Sequence, residues 1–312
     1  MERQAIFPLL VIPLLVSACS IKHVAVNKLG NALAGSGTTF ASDDDPELVA
    51  GALPFALKLM ESLLAESPRH TGLLLAASSG FTQYTYAFVA WPGDRAFYEN
   101  VEESKALRLR ARRLYARAYR YGMRGLDARY PGFAAAFEGE PQTALARVHV
   151  RDVPLLYWTA AAQGLAISAS KDDPEMIADL PLVEALLRRA EELDPGWQQG
   201  ALPEVRISID AAKVGIRPED RKSRILASYE AALKFSAGRR ASLFVSFAEN
   251  SSLPAQNRTE FKQMLERALV INADAYPESR LANLVAQQRA RWLLGRIDDL
   301  FLEPESPVVR GE

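Results

Sequence analysis

The sequence predicts an all-α protein built from about four to five degenerate helix pairs. Three observations point there. Alanine, leucine and arginine are abundant and alternating β-branched runs are nearly absent, which leaves little material for strands. Two segments far apart, Asp44-Asp45-Pro46-Glu47 and Asp172-Asp173-Pro174-Glu175, carry the same helix start. In each, aspartate accepts the free N–H groups of the first turn, proline fits the first helical position, and glutamate favours the positive end of the dipole. A large residue followed three positions later by alanine recurs at Tyr115 and Ala118, Leu187 and Ala190, Tyr229 and Ala232, and Leu265 and Ala268. Such pairs share a helix face and let a neighbouring helix approach closely.

Taken from the start, residues 1–18 read as a signal peptide. The apolar stretch from Ala5 ends in Leu14-Leu15-Val16-Ser17-Ala18-Cys19, as an export signal requires: roughly 7–15 apolar residues, then small ones where the peptidase must fit. The run is shorter than the roughly 20 residues that span a bilayer, and Pro8 and Pro13 interrupt it. Cys19, the only cysteine, closes a bacterial lipobox, so it is the expected site of lipidation and of attachment to the membrane. Ser20 stands where an aspartate would retain the protein at the inner membrane, which favours the periplasmic side of an outer membrane. A single cysteine leaves no disulfide, so stability rests on packing. Residues 19–42 are small and polar, with Gly30, Gly35 and Gly37, and read as a flexible tether. The helical body is expected over 43–303, with a short tail over 304–312.

Within the body, the two aspartate-capped starts match further, Leu53-Pro54 against Leu180-Pro181 with one residue of slippage, and both helices end in proline, at Pro68 and Pro195. An internal duplication explains this most simply. Leu187 to Pro195 carries the large-x-x-Ala-x-x-x-x-Pro spacing of the second helix of a tetratricopeptide repeat. Candidate first helices hold Gly80 within Leu73 to Val89 and Gly164 within Val153 to Ala169. The expected architecture is therefore a tetratricopeptide-like solenoid, with a generic helical bundle as the alternative. Solenoids expose a concave face of first helices that binds partners. On that register Phe81 and Tyr84 line the groove in one repeat, and Trp158 and Leu165 in another, where they could equally be core. Arg239-Arg240 at a helix start could grip a ligand carboxylate in two-pronged fashion or form a structural salt bridge.

Enzymatic chemistry finds little support. Ser168-Ala169-Ser170-Lys171 fits the Ser-x-x-Lys signature of penicillin-binding enzymes, but neither Lys-Thr-Gly nor Ser-Asp-Asn follows. Gly35-Ser36-Gly37-Thr38-Thr39 lacks the lysine and the preceding strand of a phosphate loop. His23, His70 and His149 are isolated, without zinc spacing, and Asp43-Asp44-Asp45 lacks the alternation of a calcium loop. No catalytic residue, metal or cofactor is expected. The net charge of −1, with both signs interspersed, argues against nucleic acid. The segment from about Glu102 to Arg129 is an amphipathic helix, with Arg113, Arg117, Arg120 and Arg124 on one side and Leu114, Tyr115 and Ala118 on another. That basic side is either a solvated or ion-paired face, or one for an anionic headgroup or an acidic partner.

Several stretches together resemble one family. They are Leu53 to Lys58, Gly72 to Ala77, Gly80 to Tyr84, Val153 to Trp158, Ser170 to Glu175, Gly238 to Ser242, and Arg280 to Leu284 continuing through Arg289 to Leu294. In this order and behind a lipobox, they resemble the T-component lipoproteins of TRAP transporters. The resemblance implies a periplasmic, lipid-anchored helical protein that partners a TRAP-type solute-binding protein. It also implies a homotrimer with a central or through-subunit pore, and a role in delivering a hydrophobic or carboxylated ligand. The alternative function is a general outer-membrane repeat scaffold for envelope protein complexes.

Overall fold

Helices form every regular element among the described residues, which are 26–35, 37–170 and 173–302 of a computed structural model, and none of these residues is in a strand. The all-α expectation holds. Cys19, the apolar stretch before it and the tail from 304 lie outside the described residues. In chain order the helices are α1 (residues 26–35), α2 (Gly37–Ala41), α3 (Pro46–Glu66), α4 (Thr71–Thr85), α5 (Trp91–Ala96) and α6 (Val101–Arg129). Then come α7 (Phe133–Gly139), α8 (Pro141–Ala146), α9 (Val153–Ser168), α10 (Pro174–Ala178), α11 (Leu180–Leu193) and α12 (Trp197–Ala212). The last are α13 (Pro218–Ser236), α14 (Ala241–Phe247), α15 (Arg258–Leu269), α16 (Arg280–Gly295) and α17 (Ile297–Leu300). Two π-turns, Tyr86–Ala90 after α4 and Ala248–Ser252 after α14, re-aim the side chains that follow.

The expected helix starts form as their chemistry dictates. Asp45 accepts from the N–H groups of Glu47 and Leu48 at 3.0 and 2.9 Å, and Asp173 accepts from Glu175 and Met176 at 3.2 and 3.3 Å. The two copies then diverge. Pro54 lies inside the 21-residue α3, whereas α10 stops after five residues and Pro181 opens α11.

The tether expected over 19–42 is helical in its described part. Val26, Leu33 and Phe40 pack against the N-terminal core, and Ser67 Oγ donates to Asn27 Oδ1 at 2.9 Å. One of the glycines that suggested flexibility serves close approach instead: a Cβ added at Gly30 would lie 2.9 Å from Leu73, whereas Gly35 and Gly37 face open space.

Three clusters make up the core. The first joins α3, α4 and α6, the second α6 to α12, and the third α12 to α16 with Phe301. All four large-and-alanine pairs are buried in them, which is the packing their spacing predicts. Glycine sets the closest crossings. Cβ atoms added at Gly80 and Gly164 would lie 2.8 Å from Leu57 of α3 and 3.2 Å from Ile209 of α12. At Gly122 the gap to Thr159 Oγ1 of α9 would be only 2.1 Å.

The last long helix returns to the first ones. Arg280 Nη1 donates to the Ser42 carbonyl at 3.1 Å, Leu281 packs on the N-terminal cluster, and the Trp292 ring lies 5.8 Å from Tyr98. Arg296 lies over the same Tyr98 ring, 4.0 Å from its centroid. The array is therefore shut by α16 against α2, α5 and the loop that follows α5.

Candidate functional site

Tyr86 ends α4 on its open side, where the π-turn begins, and the charged side chains that act on it come from four other parts of the chain. Tyr86 is 38% exposed, yet desolvation raises its phenol pKa, with Arg289 opposing and Glu249, Glu204 and Asp94 reinforcing. Tyr86 thus pairs an exposed edge with charged neighbours from four elements, and the region that it shares with Tyr157, through Glu204, is the candidate recess. Tyr157 of α9 behaves alike: half-buried, it is pushed to about 12 by burial, with Arg240 lowering and Glu204 raising. Its ring packs 4.9 Å from Trp158 and 4.6 Å from Trp197, so aromatic surface continues along the recess.

Two half-buried arginines cross-brace this region. Arg289 of α16 grips Glu249 through Nε at 2.8 Å and Nη2 at 2.7 Å, and Nη2 also reaches Asp94 of α5 at 3.2 Å. Burial works against its charge, but the surrounding carboxylates outweigh that and hold its pKa well above the usual value. Arg240 donates from Nε to Glu204 of α12 at 2.5 Å and from Nη1 to the Gln198 carbonyl at 3.3 Å. Gln198 begins three consecutive left-handed residues, with φ of 44° there, 56° at Gln199 and 90° at Gly200. Non-glycine residues in that region carry strain of about 1 kcal/mol or more each. The tilted contact of Trp197 with Tyr157 and the bond from Arg240 hold the turn beside the recess. Gly200 is required there, since a Cβ would press within 3.1 Å of the Ala232 backbone.

Of the side chains that the sequence nominated, Trp158 and Arg240 reach this region. Phe81 is buried in the N-terminal core, stacked on Tyr121 at 5.9 Å with Arg117 over its ring at 5.4 Å. Tyr84 is buried too, and its hydroxyl accepts from Arg110 Nη2 at 3.3 Å. Leu165 packs on the same core. Arg239 points outward over the Tyr276 ring, 5.2 Å away, while its neighbour Arg240 turns in. The expected pair is thus split, and Arg240 takes the structural salt bridge. Tyr86, Trp197, Glu204, Glu249 and Arg289 were not singled out. Because Gly80 faces α3, the open stripe of α4 falls at Ser79, Gln83 and Tyr86, the helical spacing that could have named Tyr86.

Other motifs settle into structural work. Asp43 Oδ1 accepts from the Asp45 amide at 2.8 Å within the capping turn, and His70 Nδ1 accepts from the Leu73 amide at 3.1 Å as the cap of α4. Ser168 is exposed at the end of α9, and Lys171 lies outside the described residues.

A second feature lies on the outer side, between α3 and α6. A cleft of about 440 Å³ is lined by Lys58, Glu61, Arg117, Arg120, Tyr121 and Arg124. Glu61 accepts from Lys58 Nζ at 2.6 Å and Tyr121 Oη at 2.7 Å, with Arg117 at 3.6 Å. Burial pushes its carboxyl up, but these three donors outweigh burial and hold it below the usual value of 4.5. Its stabilising contribution is therefore complete above about pH 4.5 and is lost as pH falls through the lower folded value. Glu61→Gln should lower the urea midpoint at neutral pH, and the gap to wild type should close in acid.

This is an all-α protein in which distant helices are tied together by arginine–carboxylate pairs, and no group of three or more His, Cys, Asp or Glu side chains able to hold a metal ion assembles among the described residues. The profile of the family described as TRAP transporter T-component matches residues 42–301, and the chain belongs to that family. It is also 30% identical over 311 residues to a Treponema pallidum (strain Nichols) protein described as an uncharacterized protein, a match that covers 93% of this chain and 95% of the other. Membership ties the chain to TRAP transport as an accessory component rather than as a recognised enzyme.

Proposed function

We propose that the protein is a lipid-anchored, periplasmic accessory component of a TRAP-type transport system that docks the system's solute-binding protein and receives its ligand in the Tyr86–Tyr157 recess. The family match over 42–301 carries this reading. The chemistry of the recess narrows the ligand. Arg240 and Arg289 are already satisfied by Glu204 and by Glu249 with Asp94, so a carboxylate would have to displace an existing partner. Tyr86, Tyr157, Trp158 and Trp197 offer aromatic surface without such competition, which favours an apolar ligand or the apolar part of an amphiphile. The same reading takes Cys19 as the attachment point to the outer membrane and a homotrimer as the working assembly.

The test is uptake together with association. Deleting the gene should abolish or sharply reduce uptake at limiting substrate. Light scattering should give the mass of a trimer that increases when the cognate solute-binding protein is added. Tyr157→Ala with Trp158→Ala should preserve that complex and lower ligand transfer. Normal uptake in the deletion strain, or capture of envelope assembly factors with no solute-binding protein, would move the protein to the general scaffold role.

A further inference from the structure

The cleft between α3 and α6 has features that the recess does not explain. It gathers four cations, Lys58, Arg117, Arg120 and Arg124, against the single carboxylate of Glu61. Glu61 is already shared by Lys58 and Arg117, and Arg120 has neither ion pair nor hydrogen bond among the described residues. Lys58, Arg120 and Arg124 are exposed, as is Arg113 one turn earlier on α6. An excess of unneutralised guanidinium around a shallow cleft is the chemistry that takes up phosphate oxygens.

Beside this charge lies apolar surface. Leu48 and Phe55 of α3 are 62% and 74% exposed, and Lys58 follows Phe55 by three positions, so it shares that side of the helix. The opposite side of α3, from Val49 through Leu53, Leu57, Met60 and Leu63, is committed to the core. An 18-residue window of α3 has a mean hydropathy of 1.6, and with its inner face occupied the helix is suited to lie along an interface rather than to cross it.

The position of the anchor adds a geometric constraint. Cys19 precedes Val26 by seven residues, a reach of at most about 25 Å. The α1 helix that begins the described chain is pinned by Asn27 to Ser67, at the C-terminal end of α3. Lys58 lies about 14 Å from that end along the helix. A lipid on Cys19 therefore holds this end of α3 close to the bilayer, within range of the cleft.

We infer that the outer face of α3 and α6 rests on the membrane, with Lys58, Arg117, Arg120 and Arg124 binding the phosphates of anionic lipid headgroups and Phe55 and Leu48 entering the interface. The orientation rests on the anchor reading, and the headgroup site is tested apart from it. The experiment is co-sedimentation of the full chain carrying Cys19→Ala with phosphatidylcholine vesicles, with and without phosphatidylglycerol. The apolar stretch before residue 19 contributes equally to both, so the readout is the ratio of the two partition coefficients. Each cation at an anionic surface multiplies binding by about fivefold. Replacing Arg117, Arg120 and Arg124 by glutamine should therefore cut the phosphatidylglycerol preference by about a hundredfold at low salt, and less as salt is raised. Lysine at the same three positions should retain most of it. Phe55→Ser should weaken binding to both vesicles while leaving the preference intact.

Equal binding to the two vesicles overturns the headgroup site. So does a glutamine variant that keeps the preference, or one that loses only its complex with the solute-binding protein. Palmitate labelling of wild type against Cys19→Ala in cells reports the anchor independently. Absence of label overturns both the anchor and the orientation of α3 and α6 on the bilayer, whatever the vesicles show.

Discussion

Gly122→Ala should destabilise the protein by about 2 kcal/mol, although alanine is the better helix former by about 1 kcal/mol. The sign follows from one distance. Gly122 sits where α6 crosses α9, and an added Cβ would lie 2.1 Å from Thr159 Oγ1 and 3.1 Å from Ser78 Oγ. Neither side chain can swing away easily, because both are fully buried and Thr159 Oγ1 is held by its bond to the Leu155 carbonyl at 2.6 Å. The helices must part instead, which loosens the contact between the first and second core clusters. Thr159→Ala removes only a hydroxyl bonded within its own helix and a methyl group. The double variant should therefore recover most of the loss, as a thermal-unfolding double-mutant cycle would reveal. A cycle with no coupling would mean that α6 and α9 have room to slide.

The larger expected effect lies at Arg289. Arg289→Met should cost about 3 kcal/mol, because it leaves the half-buried Glu249 carboxylate, 22% exposed, without its two-pronged partner. Arg289→Lys should cost less but still be measurable, since a lysine cannot reproduce both bonds. Adding Glu249→Leu to Arg289→Met removes the stranded charge and should restore much of the stability. Urea unfolding of the set decides between loss of an ion pair and loss of packing: in the second case the double variant would be no better than the single one. Asp94 makes the result more than local, because it ties Arg289 to α5 across 195 residues of sequence.

The fold was legible where local chemistry governs it. Asp45 and Asp173 cap helices with their own side chains, and Tyr115, Leu187, Tyr229 and Leu265 sit in the core beside their alanines, because hydrogen bonding to the first turn and burial of one helix face are encoded within a few residues. The recess was less legible. The register set from Gly80 leaves Phe81 and Tyr84 either in the groove or in the core, and they are core; Gly80 faces α3, so the open stripe runs through Gln83 and Tyr86. Glu249 and Arg289 meet across 40 positions and Arg240 meets Glu204 across 36, pairings set by tertiary packing and invisible to any local pattern. The segment over 26–41 misled for a different reason. Its glycines and alanines have the composition of a linker, and only the presence of Leu73 and His70 opposite Gly30 turns small size into close packing there.

The return of α16 to the start of the molecule has a kinetic consequence. In an open repeat array each unit touches only its neighbours, so folding can begin anywhere and spread. Here Arg280 bonds to Ser42 across 238 residues, and the surface around Ser42, Asp94 and Tyr98 stays unfinished until the end of the chain arrives. Closing so long a loop costs entropy before any contact repays it, which slows the final step and makes it depend on the whole chain. A chain shortened before α16 is therefore expected to leave its first helices open as well as its last, so that damage at one terminus is felt at the other.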